Sequence, residues 1–165
     1  MSPDNAPIPE QRFTRILFPT DFSAASEHAL TYAVSLAQEY KAQLHVLHVI
    51  DESAEATGFY VPHLSYEKLD DEMKRGAEKI LKSFCLKNLR GVEDYDYSVV
   101  AGIPYKEIIL CAEEKGSDLI VMGSLGKSGI DRLVFGSTTE RVLRKSPCPV
   151  LTVHPPEEAS RESTS

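Results

Sequence analysis

Short apolar segments alternate with longer amphipathic ones along this chain. Residues 13–18 and 119–121 are short apolar runs, and residues 43–50 are nearly continuous in apolar residues, as in strands covered on both faces. Residues 95–100 alternate in polarity, and residues 150–153 form a last apolar run. Between these runs, apolar residues recur at the helical spacing of three and four positions. The pattern predicts five strands that alternate with four helices.

Capping residues, glycine and proline mark the predicted helix ends. Ser23 is suited to the N-cap of the first helix, and Gly91 ends a second helix over residues 66–89. Pro104 opens a third helix that Gly116 ends. A fourth helix covers residues 137–146. The residues predicted to pack against the sheet are Ala25, Ala29, Leu30, Ala33, Val34, Leu36, Ala37, Leu69, Met73, Ala77, Ile80, Leu81, Phe84, Ile108, Ile109, Cys111, Ala112, Val142 and Leu143.

Alternating strands and helices predict an α/β fold, a doubly wound parallel sheet with helices on both faces. Ligands of such sheets bind beyond the carboxyl ends of the strands, where the strand order reverses. We expect residues 1–12 to be a disordered arm, residues 13–154 one domain and residues 155–165 a flexible tail. Residues 51–65 form a long polar connection, for which a functional loop and a solvated excursion are both open.

Composition narrows the class of protein. The chain has 165 residues, 42% of them hydrophobic and 26% charged, which is typical of a soluble globular protein. Its net charge of −7 disfavours broad binding to nucleic acid or anionic membranes. The three cysteines are odd in number and lack C-x-x-C spacing, which favours a reducing compartment and no zinc site. Without a signal-peptide pattern or a membrane-spanning run, we expect a cytoplasmic protein.

Two groups of titratable residues resemble metal ligands but favour other interpretations. His45 and His48 lie three residues apart on the second predicted strand, so their side chains point to opposite faces and cannot bind one metal ion. Both are expected to be structural. The acidic run 70–72 falls in the first turns of a helix, where the helix dipole favours negative charge, and is expected to be a solvated face.

A motif of three glycines begins directly after the fourth predicted strand. Gly123, Gly126 and Gly136 have the spacing G-x2-G-x9-G, and glycine lets a phosphate approach the bare backbone. Ser137 and Glu140 have the spacing of a capping box, which predicts that a helix begins at Ser137. The N–H groups of that helix end would favour an anion. A phosphate site is one interpretation, and an ordinary glycine turn before a capped helix is the other.

Familiar phosphate-binding and signalling motifs do not fit the sequence. A Walker A loop ending at Lys127-Ser128 would need glycine at position 121, which is Val121, and G-x-G-x-x-G does not occur. A receiver domain needs two acids after its first strand, and this chain has the single acid Asp21 there. Nor do the third and fifth strands precede the phosphorylated Asp and the Lys that a receiver requires. The receiver class is therefore rejected.

The chain resembles the ATP-binding branch of the universal stress protein family over most of its length. The similarity rests on the glycine motif and on segments 16–23, 101–104, 117–123 and 146–151, which occur in the family's order. The resemblance implies the strand order 3-2-1-4-5, which makes the first and fourth strands neighbours at the switch point. It also implies bound ATP, with Mg²⁺ coordinated mainly by the phosphates. A homodimer paired through residues 150–153 is the third implication.

The resemblance also implies which residues form the nucleotide site. Thr20 and Asp21 would border the adenosine, with Asp21 accepting from a ribose hydroxyl or the adenine amino group. For Asp21, a role as N-cap or turn acid is the alternative, and Lys127 and Arg132 are either mobile cations for phosphate or surface charges. The whole predicted site is Pro19, Thr20, Asp21, Val49, Met122, Gly123, Ser124, Gly126, Lys127, Gly136, Ser137 and Thr138.

The expected function is that of an ATP-binding stress-response protein, a nucleotide-dependent regulatory module with slow or no hydrolysis. The alternative is a weak ATPase or another enzyme that uses adenine nucleotides. Segments similar to the HIGH and KMSKS signatures of adenylyl-transferring synthetases are absent from the sequence. The glycine motif contains no histidine that could act as a general base.

Overall fold

The structure is a computed structural model that describes residues 7–10, 12–53, 66–125 and 135–156, with the backbone alone for residues 66–70. Most of the predicted N-terminal arm, 51–65 connection and tail, and the 126–134 part of the glycine segment, lie outside the described residues. The elements, in chain order, are β1 (Arg15–Pro19), α1 (Ala24–Tyr40), β2 (Gln43–Asp51), α2 (Tyr66–Asn88), β3 (Tyr95–Gly102), α3 (Pro104–Lys115), β4 (Leu119–Gly123), α4 (Ser137–Lys145) and β5 (Val150–Val153).

The strands form one parallel sheet in the order β3-β2-β1-β4-β5. In the central strand β1, Ile16 lies opposite Leu44 of β2 on one side and Leu119 of β4 on the other. The predicted fold class and strand order are therefore confirmed. Because β1 and β4 are neighbours, the turns that follow them open at the same edge, where the strand order reverses.

Helices cover both faces of the sheet. The larger hydrophobic cluster joins one face to α1 and α2 and includes Phe18, Leu30 and Leu81, all buried. The second cluster joins the other face to α3 and α4 and includes Leu17, Ile108 and Val142. Leu17 and Phe18 are adjacent in sequence and fall in different clusters, because successive strand residues point to opposite faces.

Three residues predicted to pack in the core are exposed instead. Met73 and Ile80 of α2 are 49% and 56% exposed, and Leu143 of α4 is 39% exposed. Helix α2 lies over the edge strand β3, where the sheet can cover only a narrow stripe of it, centred on the buried Leu81. In α4, Val142 is fully buried, and Leu143 lies about 100° further round the helix.

The first strand begins two residues later than predicted. Thr14 directs its backbone N–H and its hydroxyl to the carboxylate of Asp118, each at 2.8 Å, and its carbonyl accepts from the N–H of Gln43 at 2.9 Å. The ends of α3 are those predicted from the sequence. Pro104 opens the helix, and Gly116 ends it in the left-handed conformation with φ 61°.

Candidate functional site

The turn after β1 is held by a buried hydroxyl. Thr20 is 6% exposed, and its backbone N–H donates to the Leu47 carbonyl of β2 at 2.8 Å. Its hydroxyl oxygen accepts from the hydroxyl of Ser26 at 2.8 Å and from the N–H of Phe22 at 3.0 Å. Thr20 therefore links the end of β1 to β2 and to the first turn of α1, which fixes the position of the next residue.

Asp21 makes the turn contact expected of a turn acid. Its Oδ1 accepts from the backbone N–H of Ser23 at 3.0 Å, the geometry of an Asx turn. The N-cap of α1 is Ser23, as predicted, and its hydroxyl accepts from the N–H of Ser26 at 3.2 Å. Asp21 is half-buried, so its carboxylate lies at the rim of the sheet with one oxygen held in a defined direction.

Between Thr20 and the helix, Phe22 has the left-handed backbone angle φ 62°. A residue with a Cβ pays about 1–2 kcal/mol for that conformation, so surrounding contacts must hold it there. The Phe22 ring lies 4.5 Å from the His48 ring and 5.5 Å from the Phe84 ring, measured between centroids. His48 also donates from Nδ1 to the Thr20 carbonyl at 2.8 Å. The structural role predicted for His48 is confirmed.

The turn after β4 is crowded by backbone. A Cβ on Gly123 would lie 3.3 Å from the Leu125 carbonyl oxygen and 3.4 Å from the Ala25 carbonyl oxygen. Gly123 is therefore where the start of α1 approaches the end of β4. The next residue, Ser124, is 1% exposed, and its N–H donates to the Val153 carbonyl at 3.0 Å.

Two polar contacts join this turn to the elements beside it. The hydroxyl of Ser124 and Nδ1 of His154 share a hydrogen bond of 2.9 Å. The hydroxyl of Thr139, itself 3% exposed, donates to the Gly123 carbonyl at 3.0 Å. The first turn of α4 is thus attached directly to the end of β4.

Helix α4 begins at Ser137 as predicted, but the predicted capping box is wrong. The N-cap is Gly136, without a side-chain cap, and Ser137 is the first helical residue. Because the serine lies one position too far along, Glu140 forms no box and instead pairs with Arg144 at 2.9 Å. The N–H of Gly136 donates to the Ser124 carbonyl at 3.0 Å. The N–H groups of the first helical turn, which have no partner within a helix, begin at Ser137.

The structure brings most of the described site residues to one rim. Pro19, Thr20 and Asp21 end β1 and follow it, while Gly123 and Ser124 do the same for the neighbouring β4. Ser137 and Thr138 open the helix that Thr139 attaches to Gly123.

Two further predicted residues lie beneath this rim, and two fall outside the description. Met122, 5% exposed, and the half-buried Val49 belong to one hydrophobic cluster on the α3 and α4 face. Gly126 and Lys127, like Arg132, lie outside the described residues. Among the residues that the structure describes, no group of three or more His, Cys, Asp or Glu side chains could hold a metal ion.

Sequence reasoning missed four residues that shape the rim: Ser26, His48 as a support of Thr20, Thr139, and His154 as a partner of Ser124. Each acts through a contact with a residue at least six positions away in sequence. Ser26 and Thr139 share one signal, a hydroxyl in the first turn of a helix that follows a candidate site loop. The histidine contacts depend on strand register, which periodicity does not provide.

Comparison with known proteins identifies one family over most of the chain. The sequence profile described as the universal stress protein family matches residues 12–154. Universal stress protein MJ0531 of Methanocaldococcus jannaschii is 34% identical over 155 residues, which is 89% of this chain and 85% of that protein. Universal stress protein YxiE of Bacillus subtilis is 36% identical over 146 residues, covering 86% and 99%.

Solved structures extend the likeness to three dimensions. The structure of the protein MJ0577 from the same archaeon covers 87% of this chain and 97% of its own, with 33% identity and a TM-score of 0.76. The universal stress protein UspA from Lactobacillus plantarum covers 87% and 99%, with 32% identity and a TM-score of 0.70. None of the helices in the described part of the chain has both the length and the hydropathy needed to cross a bilayer.

Proposed function

Because the chain belongs to the universal stress protein family, we propose that it is an ATP-binding protein whose nucleotide state regulates a partner during stress. The observation that carries the proposal is the convergence of two turns, 100 residues apart in sequence, at the switch point of the sheet. The turn after β1 holds Asp21 by an Asx contact, and the turn after β4 is attached to the start of α4 through Thr139.

The nucleoside end would lie along β1 and β2. Thr20 is held rigidly by Leu47, His48 and Ser26, so the adjacent Asp21 needs little reorganisation to accept from a ribose hydroxyl or the adenine amino group. Val49 and Met122 offer apolar surface from the cluster beneath the rim. A planar base against apolar side chains, with one carboxylate to fix its orientation, is a common form of ligand site.

The phosphates would lie between the glycine turn and α4. Gly123 leaves the backbone bare, and the N–H groups of Ser137 and Thr138 open a helix whose dipole favours an anion. Gly136 would bind phosphate through its N–H only after giving up its hydrogen bond to the Ser124 carbonyl. Its main contribution is therefore the missing side chain, which lets a phosphate come close to the backbone. Gly126 and Lys127 complete the motif in the sequence. Mg²⁺ would be carried mainly by phosphate oxygens and water, which suits a site built from N–H and hydroxyl donors.

We propose that hydrolysis at this site is slow. Fast hydrolysis requires a group that orients the attacking water and cations directed at the γ-phosphate. Asp21 borders the nucleoside, and backbone donors bind ground-state phosphate as readily as the transition state. Turnover should fall far below the roughly 10 s⁻¹ typical of enzymes. We also propose a cytoplasmic location and a homodimer formed through β5. The dimer is proposed because β5 is a short edge strand with an exposed Leu151.

A thermal unfolding series with nucleotide-free protein tests the binding proposal. ATP at a hundred times its dissociation constant should stabilise the fold by about 2.7 kcal/mol. Gly126→Val should abolish the shift and leave the protein folded, because a β-branched side chain would obstruct the backbone that meets phosphate. Gly76→Val is the matched control, since a Cβ on Gly76 has nothing within 4 Å. Absence of any shift at millimolar ATP, or retained binding in Gly126→Val, would refute the site.

A further inference from the structure

A second cluster of polar side chains lies on the β2–β3 edge of the sheet, away from the nucleotide site. His45 is the third residue of β2, near the amino end of the strand, and Asp96 is its register partner on β3. Ser98 lies two residues further along β3 and therefore on the same face as Asp96. His45 is 4% exposed, whereas the Asp96 side chain is 45% exposed. The cluster is therefore partly open to solvent at the sheet edge.

The three side chains form one hydrogen-bonded chain. The Oδ1 of Asp96 contacts Nδ1 of His45, and Nε2 of His45 lies 2.8 Å from the hydroxyl of Ser98. Lys115 donates to the other carboxylate oxygen of Asp96 at 3.2 Å. An ionised Asp96 selects the tautomer with the proton on Nδ1, which leaves the Nε2 lone pair facing the Ser98 O–H. This is the connectivity by which a carboxylate and an imidazole activate a serine.

The protonation states suit that chemistry. Burial lowers the pKa of His45 below its ordinary value of 6.5, and Lys115 lowers it further, while Asp96 acts in the opposite direction. Burial tends to raise the pKa of Asp96, but the hydrogen bonds and charges of His45 and Lys115 outweigh it, and the net shift is downward. At neutral pH the cluster therefore holds a carboxylate and a neutral imidazole, the states in which a general base accepts a proton.

The backbone beside Ser98 offers a donor for a developing oxyanion. Leu44 donates to the Asp94 carbonyl and Glu52 to the Gly102 carbonyl, at 3.0 and 2.9 Å. Even-numbered residues of β3 thus direct their backbone groups to β2, and odd-numbered ones direct theirs to the outer edge. In the part of the chain that the structure describes, β2 is the strand paired with β3. The N–H of Val99, one residue after Ser98, therefore points away from β2 at the outer edge of the sheet.

We propose that Ser98, His45 and Asp96 form a hydrolytic site for carboxylic esters. The Ser98 oxygen attacks the ester carbonyl carbon while its proton passes to Nε2 of His45. The tetrahedral intermediate expels the alcohol, which takes that proton. Water then attacks the acyl-serine, gives its proton to His45 and releases the carboxylic acid, and the proton returns to the Ser98 oxygen. Both steps balance without a metal or a redox partner.

A fluorophosphonate probe tests the nucleophile directly. The Ser98 oxygen would displace fluoride from phosphorus, and peptide mass spectrometry would locate the adduct. We expect labelling at Ser98, none at that peptide in Ser98→Ala, and a rate at least about 100-fold lower in His45→Gln, the contribution of a positioned base. Asp96→Asn should slow labelling comparably. Asparagine has the shape of aspartate and the site is partly exposed, so this variant tests the proposal even if His45→Gln does not fold. Ser35→Ala is the control, because Ser35 bonds only to the Thr31 carbonyl among the contacts described.

Two results would overturn the proposal. One is the absence of a Ser98 adduct under conditions that label a reference serine hydrolase. The other is equal labelling rates in wild type and in a folded Asp96→Asn variant, which would mean that the hydrogen bonds only pin two strands together.

Discussion

Thr139→Val removes the hydrogen bond that joins α4 to the end of β4 and leaves the size and branching of the side chain unchanged. The Thr139 hydroxyl is buried and donates to the Gly123 carbonyl at 3.0 Å. Removing one partner of a buried hydrogen bond costs about 1–3 kcal/mol, because the remaining partner is then buried without a hydrogen bond to protein or water. For a chain of this length, each kcal/mol lowers the melting temperature by about 2–4 °C.

Thr31→Val is the matched control for this experiment. Thr31 also lies in a helix and donates to a backbone carbonyl, that of His28 at 2.7 Å, but it is exposed, and water can replace the lost bond. The control should change the free energy of unfolding by no more than about 0.5 kcal/mol. Urea unfolding at pH 7.5 measures both variants, and ATP titration of Thr139→Val should show weakened binding, because the first turn of α4 is no longer fixed. Equal destabilisation of the two variants would refute the role given to Thr139.

Three other outcomes follow from contacts and burial. Because burial lowers the pKa of His45, the unfolded chain takes up a proton at a higher pH than the folded one, so the free energy of unfolding should fall as the pH drops below about 6.5. In His45→Gln, the urea midpoints measured at pH 7.5 and at pH 5.5 should lie closer together than in wild type. An equal pH dependence in that variant would contradict the lowered pKa of His45. Burial raises the pKa of Cys85 to about 11, so a thiol reagent should modify it far more slowly in the native than in the urea-unfolded protein, and rapid native labelling would disprove its burial. Leu151→Asp should reduce the mass measured by light scattering from dimer to monomer, whereas Leu110→Asp, at another exposed leucine, should not; a monomeric wild type would refute pairing through β5.

The sheet could be predicted from the sequence because its signals are local. Apolar runs of three to eight residues, Pro104 and Gly116 each mark an element without reference to distant residues. Strand order came from the family resemblance, since periodicity does not specify which strands are neighbours. Helix faces were predicted less well. Met73 and Ile80 fit the helical period of α2, but the period does not reveal that a sheet edge covers only a narrow stripe.

The site could be placed by sequence but not assembled from it. Asp21 and Gly123 were identified because each directly follows a strand, which puts it on the rim of any doubly wound sheet. Two of the contacts that fix these turns join residues far apart in sequence: Thr139 and Gly123 are 16 residues apart, and His48 and Thr20 are 28 apart. The His45 cluster illustrates the same point, because its three residues meet only through the register of β2 with β3. The spacing of Ser137 and Glu140 suggested a capping box at Ser137, but the helix has its N-cap one residue earlier, at Gly136.

Equilibrium dialysis of nucleotide-free protein against labelled ATP and Mg²⁺ measures nucleotide binding and turnover in one experiment. We expect saturable binding of one nucleotide per chain, recovered mainly as ATP after many minutes, and loss of that binding in Gly126→Val but not in Gly76→Val. No saturable binding at millimolar ATP would contradict the nucleotide site. Phosphate release at several per second that persists through repurification and is lost in Asp21→Asn would contradict the regulatory module and indicate an enzyme.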